Sequence, residues 1–291
     1  MKIDLHIHSN CSDGKMSLND IFKEACNRNI EMLSITDHDS IDCQAEAMAL
    51  AEEYKILYIS GLELSVLFKH PKHRDLKPIS LDFLAYDYDI GYAPLVSKLN
   101  ELRKHRVKRA GQILEKINME LSREDIPSFT NKDLEAIQDS VDGAFGRPHI
   151  AEYLIKKGLA ADKQDAFDKY LVRCNVPKMP LSLNEASDLI KRAGGKLLLA
   201  HPNHPRGTSL IKFTDNLDEQ QQIIEESMLD FIDGIECWHS EQDESTSESY
   251  LAFAERLGLM VSGGTDCHQQ PVIMGTLDIP GYIAEQFNIP S

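Results

Sequence analysis

The run Ile3-Asp4-Leu5-His6-Ile7-His8 opens the chain as an apolar strand that carries two histidines at its end. Alternate side chains of a strand point to the same side, so the His6 and His8 imidazoles can bind one metal ion. Taken alone, the run is explained equally well by an accidental pair of histidines on an exposed strand. The choice between a metal site and an accidental pair depends on whether the other strands of the chain carry similar residues.

Short apolar runs alternate with helical stretches in residues 1–90 and 181–291. The runs cover residues 3–7, 32–35, 56–68, 79–86, 196–200, 234–238 and 259–261. This alternation predicts an α/β fold, and a barrel is the leading architecture. Residues 91–180 have almost no β signal, and Leu95, Leu99 and Leu102 begin a pattern typical of a long amphipathic helix. We therefore expect a helical insertion at residues 91–180.

Two of these runs are followed or interrupted by polar residues at places where burial is costly. His38 lies in Thr36-Asp37-His38-Asp39, directly after an apolar run, and Glu63 lies inside Gly61-Leu62-Glu63-Leu64-Ser65. Buried polar and charged groups are usually paired or bound to metal. We interpret His38 as a ligand and Glu63 as a carboxylate that bridges two ions. Asp39 is explained equally well as the cap of the next helix.

The remaining candidate ligands also follow or lie within strand-like runs. Asp13 lies in the loop after the first strand, where a turn would explain it if it stood alone. Asp82 interrupts an apolar run, either as a ligand or as a satisfied polar residue at a strand edge. One later strand ends in His201, and the last strand leads into Gly264-Thr265-Asp266-Cys267-His268. Because α/β barrels build their sites at the C-terminal ends of strands, these segments together predict a site for several metal ions. Mixed imidazole and carboxylate ligands suit zinc, manganese or iron.

Four arginines of the insertion are candidates for binding an anionic substrate, because a planar guanidinium matches the oxygens of a phosphate. For any single arginine, a solvated helix surface is the simpler explanation. Arg147 precedes Pro148, a residue typical of the first turn of a helix, whose N–H groups can bind an anion. The four arginines are Arg106, Arg109, Arg147 and Arg173.

Composition limits the classes of partner and location. The formal net charge of −16 disfavours sequence-independent binding to long nucleic acid, DNA included, which depends on neutralising phosphates. Metal ions and a few arginines can still make the field positive inside a pocket, so an anionic substrate is compatible. No run is long enough to span a membrane and no signal-peptide pattern is visible, which predicts a cytoplasmic protein. The six cysteines form no CxxC pair, so reduced thiols are expected.

Together these motifs resemble the polymerase-and-histidinol-phosphatase (PHP) family. The nearest branch is that of stand-alone bacterial phosphoesterases, which act on nucleoside monophosphates, on 3′,5′-bisphosphonucleotides or on the 5′ ends of short RNA. The resemblance covers nearly the whole chain, the insertion included. It is carried by Asp4-Leu5-His6-Ile7-His8, Ser12-Asp13-Gly14, Ile35-Thr36-Asp37-His38-Asp39, Gly61-Leu62-Glu63, Ala200-His201-Pro202, Gly264-Thr265-Asp266-Cys267-His268, Arg106-Val107-Lys108-Arg109 and Gly146-Arg147-Pro148-His149-Ile150-Ala151.

The resemblance implies a distorted (β/α)₇ barrel with a helical insertion domain and a site for two to three divalent ions, Mn, Fe or Zn. It implies three ligand sets, which are His6, His8, Glu63 and Asp266 for one ion, Glu63, Asp82 and His201 for a second, and Asp13, His38 and His268 for a third. It also implies that the insertion closes over the substrate phosphate through Arg106, Arg109, Arg147, His149 and Arg173.

Three positions depart from the family pattern. The family usually has a histidine where this chain has Asp82, so the second ion position is expected to favour a harder ion or to bind more weakly. A Gly-Arg or Gly-Lys pair after Arg173 is replaced by Cys174-Asn175. A histidine often found near the end of the penultimate strand aligns with Gln242, and His239 lies close to it.

These features predict hydrolysis of a phosphate monoester of a small nucleotide. The nucleophile would be a hydroxide that bridges two ions beside Glu63. His201 or His239 would assist the leaving alcohol.

Three alternatives stay open. A 5′-end exonuclease acting on short RNA belongs to the same branch. An amidohydrolase of C–N bonds also begins with two histidines on a β/α barrel, although many such enzymes bridge their ions with a carbamylated lysine, and we find no lysine at a suitable strand end. A metal-binding regulatory or structural domain would not need nine ligands with open positions.

Overall fold

The strands of the computed structural model form two sheets, one of three strands and one of five. The structure describes residues 1–70, 72, 77–138, 146–205 and 207–287. In chain order the strands are β1 (Ile3–Ile7), β2 (Met32–Ile35), β3 (Leu57–Tyr58), β4 (Gly61–Phe68), β5 (Ile79–Tyr86), β6 (Lys196–Leu199), β7 (Gly234–His239) and β8 (Met260–Gly264). Strands β1, β2 and β3 pair in parallel. In the second sheet, β4, β5 and β6 pair antiparallel, whereas β6, β7 and β8 are parallel.

The α/β class is confirmed, but the described strands do not close into the expected (β/α)₇ barrel. Strands β4 and β5 pair antiparallel, with Gly61 opposite Tyr86, so the β/α alternation is interrupted there. In the part of the chain that the structure describes, isolated bridges join the two sheets, between Ile7 and Cys267 and between His38 and Glu63. The sequence did not reveal the reversal, because strands buried on both faces read as continuous apolar runs whatever their direction.

Nine α-helices are found in the described residues, and those outside the middle of the chain cover the sheets. They are α1 (Leu18–Asn27), α2 (Gln44–Tyr54), α3 (Ala93–Arg123), α4 (Asn131–Gln138), α5 (Arg147–Lys156), α6 (Lys163–Ala166), α7 (Leu183–Arg192), α8 (Leu217–Ser227) and α9 (Glu244–Leu257). Ser17 begins α1 because its side chain accepts a hydrogen bond from the Asp20 N–H. Phe22 and Ala47 then pack with Leu33 in the core beside the first sheet.

The described residues of the stretch 93–171 form a helical segment between β5 and β6, made of α3 to α6 and a short π-helix, Phe167–Leu171. The first turns of α3 bury Leu95 and Leu99 in the core of the sheets. Its later turns bury Ile113 and Ile117 in a separate hydrophobic cluster with α5. The helical segment therefore has a core of its own, and α3 is shared by both cores.

Two observations bear on the expectations about cysteines and membranes. Cys11 and Cys43 lie side by side in the fold, with Cα atoms 6.3 Å apart, a separation that a disulfide can span, and the reduced state expected from the sequence stays a prediction. The proximity of the two residues is hidden in the sequence because the loop after β1 meets the start of α2 only in the folded chain. Across the described ranges, no helix is both long enough and apolar enough to cross a membrane.

Candidate metal centre and active site

All nine predicted ligands lie together where the strands of the two sheets end or meet. We call this group the strand-end cluster, and it consists of His6, His8, Asp13, His38, Glu63, Asp82, His201, Asp266 and His268. Two of its members, His201 and Asp266, have backbone φ angles of 26° and 52°. Residues other than glycine rarely adopt this left-handed region, and such strain concentrates at functional sites.

Four atoms of the cluster are arranged like the vertices of one coordination site. The Nε2 atom of His6 lies 3.6 Å from Glu63 Oε2 and 3.4 Å from Asp266 Oδ1. The Nε2 atom of His8 lies 3.3 Å and 3.1 Å from the same two oxygens. For bonds of about 2.0–2.1 Å, the ligand atoms of a tetrahedral ion are separated by roughly 3.3 Å. The structure therefore brings the four residues of the first predicted set together.

Buried lone pairs in this arrangement indicate that a cation fits. His6 Nε2, His8 Nε2 and Glu63 Oε2 are buried and make no hydrogen bond with any described residue. A buried polar atom without a partner costs free energy of about 1–3 kcal/mol. A divalent ion bound among these atoms would satisfy all three lone pairs, so the donor set suits a metal.

The third predicted set is also brought together. His268 Nε2 lies 3.1 Å from Asp13 Oδ1, and His38 Nε2 lies 3.9 Å from Asp13 Oδ2. His8 joins this group, because its Nδ1 atom lies 3.6 Å from Asp13 Oδ1. His8 thus stands between the first and third positions.

The second set is arranged differently from the expectation. Glu63 and Asp82 converge with His38, not with His201. His201 instead places Nε2 3.1 Å from the other Glu63 oxygen, Oε1. Asp82 accepts hydrogen bonds from Ser65 Oγ at 2.8 Å and from the Thr208 hydroxyl. Asp82 is therefore within reach of the cluster, but it also has hydroxyl partners of its own.

The charges within the cluster support one another. Burial opposes the charged form of Glu63, yet the neighbouring His38 and His6 hold the pKa of this carboxyl well below its usual range. Burial likewise disfavours a charged His201, but the hydrogen bond and charge of Glu63 raise its pKa to about 9. Protons and metal ions therefore compete for the same ligand atoms.

Glu236 is a buried carboxylate of β7 that the sequence analysis passed over. Its Oε1 atom accepts a hydrogen bond from His6 Nδ1 at 2.9 Å, and its Oε2 atom accepts one from the His201 N–H at 2.8 Å. Such partners orient ligand histidines and raise their basicity. The sequence carried the signal, because Glu236 interrupts an apolar run in the same way as Glu63 does.

Two other buried aspartates hold the loops around the cluster. Asp37 accepts hydrogen bonds from the Ser9 N–H at 2.8 Å and from Ser12 Oγ at 2.5 Å, in the loop that leads to Asp13. Asp4 accepts from the N–H of Thr265 at 3.0 Å, next to Asp266. These bonds hold the backbone on both sides of the site.

Gly264 allows two strands at the site to pack closely. A Cβ atom at this position would collide with the backbone and side chain of His6. The glycine therefore lets β8 approach β1 closely, and this contact brings Asp266 to the first ligand set.

A cavity of about 320 Å³ opens above the cluster. Five basic side chains of the described residues line it, and we call them the cationic wall. They are Arg106, Arg109, Arg147, Lys178 and Lys212. The cavity thus has acidic and imidazole groups at its floor and cations at its side.

Arg106 and Arg109 line the cavity but are both engaged by the protein. Arg106 forms an ion pair with Asp39. Arg109 donates to the Val176 carbonyl at 2.5 Å and to Asn175 Oδ1 at 2.8 Å. Asp39 therefore anchors α3, and it does not cap α2, whose cap residue is Cys43.

Arg147 and His149 lie at the start of α5. The Arg147 guanidinium lies over the Phe167 ring, 5.2 Å from its centroid. His149 is buried and its Nδ1 atom accepts the Gly146 N–H at 3.0 Å. Gly146, Arg147 and Pro148 line the cavity, whereas the His149 side chain fastens the first turn of the helix.

Arg173 is not brought to the site, contrary to the expectation. Its side chain is 52% exposed, pairs with Glu120 at 3.4 Å and lies over the Tyr170 ring. Lys178 lines the cavity instead, and its Nζ atom donates to Ser65 Oγ at 3.0 Å. The sequence around Lys178 is rich in proline and reads as an ordinary loop, so only the fold reveals this contact.

His239 and His204 stand on the side of the cavity floor next to Asp266. His239 is buried, with Nε2 3.5 Å from Asp266 Oδ2. His204 lines the cavity, and its ring centroid lies 5.2 Å from that of His239. His204 is not among the site residues predicted from the sequence.

The chain is similar to known proteins over most of its length. The family model described as the PHP domain matches residues 4–250. A 3′,5′-nucleoside bisphosphate phosphatase from Chromobacterium violaceum is 28% identical over 285 residues, covering 91% of this chain and 87% of that protein. The 5′-3′ exoribonuclease Rnm from Escherichia coli is 26% identical over 272 residues, covering 91% of this chain and 85% of that protein.

Two solved structures share the fold over almost the entire chain. One is described as a metal-dependent phosphoesterase of Bifidobacterium adolescentis, with a TM-score of 0.79, 25% identity and coverage of 98% of this chain and 94% of that chain. The other is described as an amidohydrolase from Chromobacterium violaceum with bound sulfate and no metal. Its TM-score is 0.76, its identity is 26%, and the match covers 97% of this chain and 93% of that chain.

Proposed function

The chain belongs to the PHP domain family, and on this basis we propose that it releases phosphate from a small nucleotide. The chain is a PHP metal-dependent phosphoesterase, that is, a hydrolase of phosphoester bonds. The substrate, the ions and the roles of individual residues are the parts that we propose.

One observation carries the proposal, which is the set of buried lone pairs beneath the cationic wall. His6 Nε2, His8 Nε2 and Glu63 Oε2 converge without hydrogen-bond partners among the described residues. The wall above them supplies positive charge, and Arg147 and Lys178 belong to it. A floor that attracts cations and a wall that attracts anions suit a phosphate group held between them.

We assign the nine residues of the strand-end cluster as ligands of two to three divalent ions, manganese, iron or zinc. Bound there, such ions act as Lewis acids and supply an activated water nucleophile. Glu63 would connect two ion positions, since its two oxygens face different histidines. Glu236 would keep the His6 ring turned toward the cluster.

The cationic wall would bind and orient the phosphoryl group. Arg109 and Arg147 belong to the helical segment, which we propose as the part of the chain that closes over the substrate. Fixed cations neutralise the charge on the phosphoryl oxygens as the ester bond breaks. His201 and His239 lie beside Glu63 and Asp266, and we propose that they assist the leaving alcohol. Full turnover in the Ala variants of both histidines would remove this last assignment.

We propose a nucleoside monophosphate or a 3′,5′-bisphosphonucleotide as the substrate. The cavity of about 320 Å³ is near the lower end of the range of small-molecule pockets, about 300–1,000 Å³. The relative from Chromobacterium violaceum named as a 3′,5′-nucleoside bisphosphate phosphatase supports the same class. The cytoplasmic location expected from the sequence stays a prediction.

Cleavage at the 5′ end of short RNA is the second candidate. It is favoured by the relatives named as 5′-3′ exoribonucleases, in Escherichia coli and in Haemophilus influenzae. Hydrolysis of C–N bonds is less well supported, since Glu63 occupies the bridging position where many amidohydrolases have a carbamylated lysine.

A substrate panel tests the proposal. The metal-replete protein would be assayed with adenosine monophosphate, adenosine 3′,5′-bisphosphate, a 5′-phosphorylated RNA oligomer of a few nucleotides, and simple amides. We expect phosphate release from one of the two mononucleotides at the highest kcat/KM. A higher kcat/KM for the RNA oligomer, with mononucleotides as products, would favour the second candidate, and turnover of amides alone would refute both.

A further inference from the structure

Hydrogen bonds to Nδ1 place four histidines of the site in two classes. In a neutral imidazole, one ring nitrogen carries the proton and the other keeps a lone pair. His6 Nδ1 lies 2.9 Å from Glu236 Oε1, and His268 Nδ1 lies 2.9 Å from the Asp266 carbonyl oxygen. Both partners accept only, so Nδ1 carries the proton in each ring. The lone pair is left on Nε2, which faces the cluster, as a metal ligand requires.

His204 and His239 belong to the opposite class. The Gly207 N–H donates to His204 Nδ1 at 2.8 Å, and the Glu241 N–H donates to His239 Nδ1 at 3.1 Å. An atom that accepts an N–H needs its lone pair, so the proton of each neutral ring is on Nε2. These two rings can donate hydrogen bonds through Nε2, but they cannot offer Nε2 to a metal ion.

The tautomers change the interpretation of a cluster that looks like a further metal site. His204, His239 and Asp266 place ligand atoms within 4.8 Å of one another. With the proton on Nε2, His239 faces Asp266 Oδ2 at 3.5 Å as a donor facing an acceptor. This group therefore resembles a hydrogen-bond network more than a site for a fourth ion.

A short turn fixes the His204 ring in its place. The His204 N–H donates to the His201 carbonyl at 3.1 Å, and Ser209 Oγ donates to the His204 carbonyl at 2.6 Å. A Cβ atom at Gly207 would lie 2.8 Å from His204 Cγ, so the glycine allows the turn to close on the ring. The ring meets His201 edge to face, with centroids 5.7 Å apart.

The hydrogen bond from Gly207 also disfavours a proton on Nδ1, because an N–H at that atom would face the N–H of Gly207. A ring with its proton on Nε2 alone carries no charge and donates one hydrogen bond.

We infer that His204 is a hydrogen-bond donor to a phosphoryl oxygen of the substrate through Nε2–H, and that it is not a metal ligand. The inference rests on the proposed function, because it takes the occupant of the cavity to be a phosphate ester. His204 lines that cavity beside Asp266, at the edge of the strand-end cluster. It therefore adds a neutral donor to the phosphate contacts of the cationic wall.

Substitutions at His204 distinguish a donor from a ligand. His204→Gln keeps a side-chain N–H close to the position of Nε2–H but has no imidazole. We expect this variant to retain kcat/KM for adenosine 3′,5′-bisphosphate within about threefold, whereas His204→Ala loses about 10- to 100-fold, the cost of a hydrogen bond to a charged group. Both variants should keep the wild-type zinc content by mass spectrometry. Loss of one zinc equivalent in both would overturn the inference.

Nitrogen NMR of the zinc-loaded protein tests the tautomer without any turnover. With ¹⁵N-labelled histidine, the His204 ring, assigned by its absence in His204→Gln, should show its proton on Nε2. Added inorganic phosphate should shift this Nε2–H signal. A proton on Nδ1, or no response to phosphate concentrations that shift other site signals, would overturn the inference. If the wild type released no phosphate from any nucleotide, the proposed function would fail, while the NMR result would still decide the tautomer.

Discussion

The strand-end cluster and the cationic wall are built in different ways. Each cluster ligand lies in a strand or in the loop that follows one, and buried carboxylates such as Glu236 and Asp37 hold the ligands or their loops. The wall is assembled from α3, from the start of α5 and from loops far apart in the chain, including Lys178 and Lys212. The geometry of the sheets therefore positions the candidate metal ligands. The packing of helices and loops determines which basic side chains line the cavity. We expect changes in the cluster to remove metal and turnover, and changes in the wall to weaken substrate binding.

The largest effect is expected for Glu63→Gln, at the centre of the cluster. The amide cannot connect two cations as a carboxylate does, so metal content should fall and phosphate release should drop by about 10³-fold or more. Metal analysis and steady-state kinetics on the same preparation measure both. Glu31→Gln is a matched control, because Glu31 is exposed and lies outside the site. Wild-type metal content and turnover in Glu63→Gln would contradict the assignment.

A smaller effect is expected for Glu236→Gln, which changes a hydrogen-bond partner of the strand-end cluster. Removing the charge behind His6 and His201 should weaken metal binding by about 10-fold, the lower end of the 10- to 100-fold range for such partners. Competition with a chelator measures the affinity. An unchanged affinity would mean that Glu236 serves folding alone.

In the wall, Arg147 and Arg173 form a matched pair of arginines, one lining the cavity and one outside it. Arg147→Ala should lower kcat/KM by about 10-fold, since a hydrogen bond to a charged group contributes about 1.5–3 kcal/mol. Arg173→Ala should change kcat/KM by less than about twofold, because its exposed pair with Glu120 is worth little. Equal losses in the two variants would contradict a specific role of Arg147 in substrate binding.

The smallest effect concerns how the stability of the metal-free protein depends on pH. The pKa of His201 rises from 6.5 in the unfolded chain to about 9 in the folded one, because of Glu63, despite burial. The folded state therefore binds a proton more tightly, and this stability is fully present below pH 6.5 and is lost as the pH rises to about 9. The melting temperature of metal-stripped protein should fall over this window. In metal-loaded protein the fall should be absent, because deprotonated ligands favour the ion. If the melting temperature depended on pH in the same way with and without metal, competition between protons and metal ions for His201 would be contradicted.

The sequence predicted the cluster better than the wall for a physical reason. A polar residue in a short apolar strand, such as Glu63, has few explanations other than pairing or metal binding, and strand ends meet in an α/β fold. Glu236 gave the same signal, and a stricter use of that rule would have included it. The reversal of β4 and β5 and the two sheets in place of a closed barrel could not be predicted, since apolar runs carry no direction.

Long-range packing explains what the sequence did not reveal about the wall. Arg173 and Lys178 lie five residues apart on one connection, and only the fold decides that the lysine faces the cavity. The contact between Cys11 and Cys43 is also long-range, with a sequence separation of 32. His204 was passed over because a histidine in a proline-rich loop has no periodic pattern that would mark it.

The central claim is that the strand-end cluster holds divalent ions and that these ions are required for phosphate release. The most direct measurement strips the protein with a chelator and follows phosphate release from adenosine 3′,5′-bisphosphate and adenosine monophosphate as manganese, iron or zinc is returned. We predict that activity disappears with the metal and recovers as two or three equivalents are bound. Phosphate release that persists after complete removal of metal would contradict the account, as would a metal-replete protein that releases phosphate from neither nucleotide.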